Sequence, residues 1–367
     1  MTDPRIARLA NTLVQYSVAV QPGETVIING ELSGLPLIRE TYKEVVKAGG
    51  HCLVALSDEQ MGDFFLRHAS QEQLEYISPL EDWAARQAKV LIAIRSTNNT
   101  RSGTSIDPKR IALRAKSRAE LSKIRFERSA TNDQRWTLTQ FPTEAYAQEA
   151  DMSLTEFEDF VYKATFADQP DPIRLWRELG DNQQKYVDWL KGRKNVVVRG
   201  PNVDLTLSIE GRTFVNSTGT HNMPSGEIFT GPVEHSVNGW VRFTYPAIRE
   251  GRVVEGVELR FENGKVVSAT AKKNEEYLLS QIATDPGAAY LGEFAIGTNF
   301  GIQRFTGNIL FDEKIGGTIH MALGRGYPET GSVNESAIHW DMICDMRDGS
   351  EIVVDGDVLY RNGSFMF

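Results

Sequence analysis

Short apolar segments alternate with helical patterns through the first part of this chain, and this alternation constrains the fold more than any other feature. Three segments have strand-like composition: residues 25–29 (TVIIN), 51–56 (HCLVAL) and 89–94 (KVLIAI). A helical pattern over residues 35–48 separates the first two and stops at Gly49-Gly50. Because strand, helix and strand in this order are typical of parallel sheets, we predict a mainly parallel α/β sheet with helices on both faces.

Further helices and one more strand extend this pattern. Ser70 with Gln73 has the spacing of a capping box, and so does Thr155 with Glu158; each predicts the start of a helix. Residues 135–139 resemble another strand. Residues 173–190 have helical periodicity, which ends near Gly192.

The character of the sequence changes after Arg193, where short strands alternate with turns and long helical patterns become scarce. The pairs Asn263-Gly264, Asp355-Gly356 and Asn362-Gly363 predict hairpin turns, and residues 275–283 predict the one clear helix of this half. A chain of 367 residues is also too long for one ordinary core. We therefore predict an α/β domain over residues 1–192 and an α+β, strand-rich domain over residues 193–367.

Composition excludes several classes of protein. A net charge of -9 makes nucleic acid an unsuitable partner, and no apolar run approaches the length of a membrane span. Basic residues crowd between 107 and 128, but Glu120 and Glu127 interrupt them, so we expect a solvated helix face. Two distant cysteines, Cys52 and Cys344, together with an amphipathic rather than signal-like start, predict a cytoplasmic location.

Two of the six histidines lie in the segment from residue 318 to 345. Residues 318–323 have strand-like composition and contain His320, while residues 337–343 resume it with His339 and Asp341 two apart. Side chains at i and i+2 of a strand point to the same side, about 7 Å apart along the backbone. This spacing suits a divalent cation.

Two glutamates in Gly-rich stretches extend this set. Glu227 lies in NMPSGEIFTGP and Glu293 in LGEFAIGTN, and a buried carboxylate must be paired or bound to metal. Three carboxylates and two imidazoles can hold two divalent ions if a carboxylate bridges them, and mixed N and O ligands suit Zn²⁺, Co²⁺ or Mn²⁺. Such a pair would activate water for amide hydrolysis, and Tyr327 could hydrogen-bond the oxyanion.

Other residues compete for these roles. His221 and His235 flank the stretch around Glu227 and are alternative ligands, which we rank lower because each lies six or more residues from the carboxylate. Cys344 is expected to be a core thiol. The sequence has no H-E-x-x-H, no G-x-S-x-G and no Gly-rich nucleotide motif, so zincin, serine hydrolase and nucleotide-binding functions are unsupported.

Several motifs carry a resemblance to a known family. The segments NMPSGEIFTGPVEHSVNG, GEFAIGTN, TGNILFDEKIGGTIHMALG and NESAIHWDM, with VQPGETVIING and VVKAGGHCLVAL near the start, resemble the M29 metallo-aminopeptidases. The resemblance implies an α/β N-terminal domain, a metal-bearing C-terminal domain and a homodimer that encloses a chamber. It also implies two metal ions and a catalytic tyrosine at Tyr327. The implied metal ligands are Glu227, Glu293, His320, His339 and Asp341.

We therefore expect a cytoplasmic metallo-aminopeptidase that removes the N-terminal residue from short peptides. Glu293 or Glu227 could in addition serve as general acid, although metal binding is the role that we favour for both. The alternative is a non-haem Fe(II) ring-cleaving dioxygenase using His320, His339 and Asp341, since two histidines and one carboxylate form such sites. The two glutamates argue for the peptidase. A catalytically silent binding protein, with residues 107–128 as its partner surface, is a third possibility.

Overall fold

The computed structural model describes residues 3–367, and their contacts divide the chain into two compact units. The first contains the residues up to 175 together with 219–223, and the second contains residues 176–218 and 224–367. The division at 175/176 falls inside a helix. The domain boundary expected after Gly192 follows that helix and stays a prediction. Among the described residues, no helix is both long and apolar enough to cross a membrane.

Residues 3–171 of the first unit, which precede the long helix that contains the division, form nine α-helices and four strands, and the fifth strand of this unit lies later in the chain. The strands are β1 (Thr25–Glu31), β2 (His51–Ser57), β3 (Val90–Arg95) and β4 (Arg135–Gln140). The helices are α1 (Pro4–Thr12), α2 (Leu35–Lys47), α3 (Glu59–His68), α4 (Gln71–Glu75), α5 (Pro79–Gln87), α6 (Pro108–Ser117), α7 (Ala119–Ala130), α8 (Glu144–Glu149) and α9 (Leu154–Ala164). A π-helical turn (Leu13–Ser17) and two 3₁₀ turns (Leu32–Gly34, Ser102–Ser105) complete it.

The long helix α10 (Pro172–Leu190) leads into a half that is rich in strands. These are β5 (Asn195–Gly200), β6 (Val203–Ser208), β7 (Val215–Ser217), β8 (Asn222–Met223), β9 (Glu227–Thr230), β10 (Asn238–Arg242), β11 (Ala247–Arg249), β12 (Arg252–Val254), β13 (Glu258–Glu262), β14 (Lys265–Thr270), β15 (Leu291–Gly297), β16 (Thr318–Gly324), β17 (His339–Asp345), β18 (Glu351–Val354), β19 (Asp357–Arg361) and β20 (Ser364–Phe365). Two helices, α11 (Glu275–Ile282) and α12 (Ile309–Asp312), and a 3₁₀ turn (Pro328–Thr330) lie among them.

The sheet of the first unit is parallel throughout, with strand order β2-β1-β3-β4-β8. Its central strands bury Val26, Ile28 and Ile92 completely, which makes hydrophobic burial the main source of its stability. The edge strand β2 leaves Leu53 and Leu56 almost half exposed. The α/β fold predicted from the alternating pattern is confirmed.

The second unit contains two larger antiparallel sheets. One has eight strands in the order β14-β13-β10-β6-β5-β18-β19-β20, and the other has five in the order β17-β16-β15-β9-β7. Buried apolar side chains from both sheets, among them Leu205 and Val198 from the first and Ile296 and Met321 from the second, belong to one core. The five-stranded sheet is the element that positions the residues of interest.

Turn chemistry explains several connections of the second unit. Asn263 and Gly264 both have positive φ, 49° and 84°, as a two-residue hairpin turn between β13 and β14 requires. Asp355-Gly356 and Asn362-Gly363 have the same pair of conformations. The predicted hairpins are therefore confirmed.

The helix starts were predicted with mixed success. The capping box of Ser70 and Gln73 is present, and its two reciprocal hydrogen bonds begin α4. The box assigned to Thr155 and Glu158 is wrong: Ser153 caps α9 and pairs with Glu156, two residues closer to the preceding loop. The basic stretch forms two helices, α6 and α7, which meet at Arg118.

Candidate metal centre

Four neighbouring strands of the five-stranded sheet carry the acidic and imidazole side chains that the sequence singled out. Glu227 begins β9, Glu293 lies in β15 and His320 in β16. His339 and Asp341 lie in β17. Adjacent strands of a sheet are about 4.8 Å apart. The side chains that these four strands carry therefore lie close together, although the residues are far apart in sequence.

Each of the two glutamates follows a glycine whose missing side chain leaves room for backbone packing. Gly226 has φ of 111°, and a Cβ there would lie 2.7 Å from the side chain of Asn299. A Cβ on Gly292 would lie 2.2 Å from the carbonyl oxygen of Arg325. A larger residue at either position would displace the strand that carries the carboxylate.

His320 faces both glutamates. Its Nε2 lies 3.4 Å from Oε2 of Glu227 and 3.6 Å from Oε1 of Glu293. The imidazole is buried, as are both carboxylates. These three residues form a group in which one ligand atom from each lies within 4.8 Å of the others.

His339 connects the second oxygen of Glu293 to Asp341. Its Nε2 lies 3.1 Å from Oε2 of Glu293 and 3.5 Å from Oδ1 of Asp341. Its Nδ1 lies 2.7 Å from the carbonyl oxygen of Arg325 and so donates to it, which fixes the ring and turns Nε2 toward the carboxylates. Glu293, His339 and Asp341 form a second group with the spacing of metal ligands.

The donor set fits a pair of divalent cations. The two groups share Glu293, whose oxygens face different histidines. Among residues 3–367, Oε2 of Glu227 and Oδ1 of Asp341 are buried without a hydrogen bond, although a buried carboxylate oxygen normally has a partner. Cations at the two groups would supply partners for both.

The charges of the cluster change the proton affinity of its members. Burial disfavours the charged imidazole, but Glu293 and Glu227 outweigh it and raise the pKa of His320 to about 9. In the same way Asp341 and Glu293 raise the pKa of His339 to about 12 against the effect of burial. Burial opposes ionisation of Asp341, yet His339 holds the pKa of this carboxyl well below its usual range. The cluster therefore attracts positive charge strongly.

Tyr327 lies beside this cluster. Its ring centroid is 5.1 Å from that of His339 and 5.3 Å from that of Phe229, and 36% of the residue remains exposed. Partial burial and the charge of Glu293 raise the pKa of its hydroxyl above the usual range. Tyr327 is therefore a protonated, accessible hydrogen-bond donor.

Two residues that lie in or beside the cluster were not found from the sequence. Glu313 forms a third group of possible ligands with His320 and Asp341, and Lys314 binds Glu227 through Nζ and Oε1 at 2.6 Å. In the sequence both belong to the charged run Asp312-Glu313-Lys314, which resembles a surface turn. The available signal was the apolar residues on both sides of that run, Leu310-Phe311 and Ile315.

Buried polar residues hold the backbone around the cluster. Gln183 in α10 donates to the carbonyl oxygen of Glu227 at 3.0 Å and accepts from Thr298 at 2.7 Å. Asp312 accepts from the backbone N–H and the hydroxyl of Thr306 at 2.7 and 2.8 Å. Burial nevertheless raises the pKa of Asp312 to about 7.

The lower-ranked candidates lie in aromatic contacts. The ring of His221 packs against Trp136 with centroids 4.9 Å apart, and that of His235 against Tyr290 at 5.3 Å. Neither belongs to a group with ligand spacing among the described residues. Cys344 is a buried core thiol, as expected.

Comparisons with known proteins agree with this arrangement. The family described as Thermophilic metalloprotease (M29) matches residues 2–365. Aminopeptidase 2 of Geobacillus stearothermophilus is 30% identical over 414 aligned residues, covering 100% of this chain and 98% of the relative. The solved structure of AmpT from Thermus thermophilus matches with a TM-score of 0.85 at 24% identity, over 99% of both chains. A 2,5-dihydroxypyridine dioxygenase from Pseudomonas putida shares the fold with a TM-score of 0.57 at 12% identity, over 98% of this chain and 96% of that one. This chain belongs to the M29 family of thermophilic metalloproteases.

Proposed function

We propose that this chain is a metallo-aminopeptidase that releases the N-terminal residue from short peptides and holds two divalent ions. The observation that carries the proposal is the pair of ligand groups that share Glu293. Family membership supports it, and so does the relative named Aminopeptidase 2, which matches along the whole chain. The proposed ligands are Glu227, Glu293, His320, His339 and Asp341.

Each side chain has a role in this proposal. Glu227 and His320 would hold one ion, His339 and Asp341 would hold the other, and Glu293 would contribute to both. When bound, divalent ions lower the pKa of water and polarise the scissile carbonyl. Tyr327 keeps its proton and donates it in a hydrogen bond to the oxygen on which negative charge develops. Glu293 faces both histidines, and we propose it as a catalytic residue because it would keep both ions in place.

The nature of the ions and the state of the protein are part of the same proposal. Mixed imidazole and carboxylate ligands suit Zn²⁺, Co²⁺ or Mn²⁺. We propose a homodimer because of the resemblance to M29 peptidases. A cytoplasmic location is proposed because both cysteines, Cys52 and Cys344, are free thiols.

The dioxygenase alternative is weaker. Its evidence is a shared fold at 12% identity, and one fold serves many functions. A single iron held by His320, His339 and Asp341 would leave Glu227 and Glu293 without a role, although His320 faces both.

The test is to measure metal content and hydrolysis of a panel of aminoacyl substrates and short peptides for the unaltered protein and Glu227→Ala. We expect about two ions per chain, activity supported by Co²⁺ or Zn²⁺, and loss of both one ion and the activity in the variant. Glu258→Ala is the control, because Glu258 is a partly exposed glutamate paired with Arg242. One iron per chain without peptide hydrolysis would refute the proposal.

A further inference from the structure

Lys314 is an unusual residue because its ammonium group lies inside the protein. Only 1% of its side chain is exposed, whereas lysine is almost never fully buried unless it is paired. Its Nζ binds Oε1 of Glu227 at 2.6 Å and also binds Glu313. The two carboxylates in contact with Nζ compensate the positive charge of the buried ammonium group. A positive charge therefore lies beside the proposed metal centre.

This ammonium group makes the two oxygens of Glu227 different. Oε1 is occupied by Lys314, while Oε2 lies 3.4 Å from Nε2 of His320 and has no hydrogen bond among the described residues. A carboxylate bound in this way has one oxygen left for a cation.

The surrounding charges show why an internal cation is needed. Four buried or largely buried carboxylates lie in this cluster, Glu227, Glu293, Glu313 and Asp341. Like charges at these distances repel strongly in a medium of low dielectric constant. One possible ligand group contains Glu227 and another contains Glu313. Lys314 contacts both of these residues directly.

We propose that Lys314 is a positioning residue that limits Glu227 to one-oxygen binding through Oε2 and keeps the carboxylate cluster assembled while metal is absent. The inference rests on the proposed function in one respect, namely that Glu227 holds a divalent ion. This role of Lys314 makes the two ligand groups unequal, because Lys314 binds Glu227 of the first group. It forms no salt bridge with His339 or Asp341 of the second group.

The first experiment compares Lys314→Met with the unaltered protein in thermal unfolding, with the metal removed and with Co²⁺ or Zn²⁺ added. Removing one partner of a buried ion pair leaves uncompensated charge, so the Tm of the metal-free variant should fall on the order of 10 °C. Bound metal replaces the missing charge, so saturating metal should recover at least half of that loss. Equal losses with and without metal would show a merely structural role and overturn the proposal.

Two further variants keep the proposal open to refutation if Lys314→Met does not fold. The double variant Lys314→Met with Glu227→Gln removes both charges and should fold with a metal-free Tm above that of Lys314→Met. A double variant no more stable than the single one would overturn the charge argument. Lys194→Met is the matched control, because Nζ of Lys194 binds Oε1 of Glu210 at the same 2.6 Å on the exposed surface. We expect its Tm to change by no more than about 2 °C.

The visible absorption of the Co²⁺-loaded protein tests the one-oxygen binding of Glu227. In Lys314→Met both oxygens become available, so the coordination number should rise and the absorption should weaken, as expected for higher-coordinate cobalt. Lys314→Arg keeps the charge and should retain more of the original spectrum. An unchanged spectrum in Lys314→Met would overturn this part. Neither readout requires hydrolysis, so a protein that binds Co²⁺ but cleaves no peptide would refute the proposed function alone.

Discussion

The parallel sheet of the first unit and the five-stranded antiparallel sheet of the second unit use buried positions differently. In β3 the fully buried positions are Val90 and Ile92, with Ile94 nearly so, and all three are apolar. In β16 every residue is buried, and one of them is His320. Burying apolar area stabilises a fold, whereas burying charged groups costs stability unless each is paired. The buried positions of β3 therefore contribute to stability alone, whereas the five-stranded sheet contributes both to the core and to the proposed metal site.

Among substitutions that test this difference between the two sheets, Glu293→Ala should have the largest effect on metal content and activity. Since both ligand groups contain Glu293, we expect loss of both ions and at least about a 10³-fold loss of peptide hydrolysis. The metal-free Tm should change by only a few degrees, because the repulsion from the neighbouring carboxylates is relieved while the ion pairs of Glu293 with His320 and His339 are lost. Elemental analysis, kinetics and calorimetry measure the three quantities. A large fall in metal-free Tm would mean that this sheet depends on its charges for stability.

Tyr327→Phe should lower kcat by about 10²-fold, because one hydrogen-bond donor to the developing oxyanion is lost. Metal content and Tm should hardly change, since the ring keeps its contacts with Phe229 and His339. Tyr290→Phe, whose ring packs on His235, is the control. If kcat is unchanged, Tyr327 has no part in catalysis.

Ile92→Ala should show the reverse pattern in the parallel sheet. The residue is fully buried between β1 and β4, so the free energy of unfolding should fall by about 2 to 5 kcal/mol. Metal content and kcat per folded molecule should not change. Leu53→Ala, at an exposed position of β2, should cost no more than about 0.5 kcal/mol. A fall in kcat for Ile92→Ala would contradict the assignment of β3 to stability alone.

Asp312→Asn should have the smallest effect, visible as a pH dependence. Because burial raises the folded-state pKa of Asp312 to about 7, its stabilising contribution is complete below about pH 4 and is lost as the pH rises through 7. Asparagine has no such loss. As the pH rises from 5 to 8, the free energy of unfolding of the variant should therefore increase relative to that of the unaltered protein by on the order of 2 kcal/mol.

Urea unfolding at several pH values measures this difference. Asp285→Asn should show the opposite trend, because backbone N–H donors, Ala337 first among them, hold the pKa of Asp285 below its usual value. The stability that Asp285 contributes is present above about pH 4 and is lost as the pH falls. Parallel trends in the two variants would contradict the assignment for Asp312.

Local chemistry explains which parts of the fold were predictable. The Asn-Gly turn at residue 263 needs positive φ at both positions, and few other residue pairs allow it. Ser153 and Thr155 lie close together, and each has a glutamate three residues later. The choice between them depends on where the preceding loop enters the helix, which spacing does not encode. The M29 family and the α/β architecture were confirmed because they rest on long patterns.

The candidate centre was predictable only in part. His339 and Asp341 lie two apart in one strand, so their convergence follows from strand geometry. The proximity of Glu227 to His320 depends on the order of strands in the sheet, for which the residues alone gave no rule. Lys314 was missed because burial of a charged side chain is decided by tertiary packing. Its partner Glu227 is 87 residues away.

The short strand β8 has a consequence for the synthesis of this protein. Residues 222 and 223 pair with Leu138 and Thr139 and complete the parallel sheet, so the ribosome must add more than two hundred residues before that sheet can close. Until then β4 presents an open edge, which invites pairing with other chains. A recombinant fragment that stops at residue 192 would keep this edge permanently. Production of this fragment alone should therefore give aggregated material, because the strand that covers β4 comes from a later part of the chain.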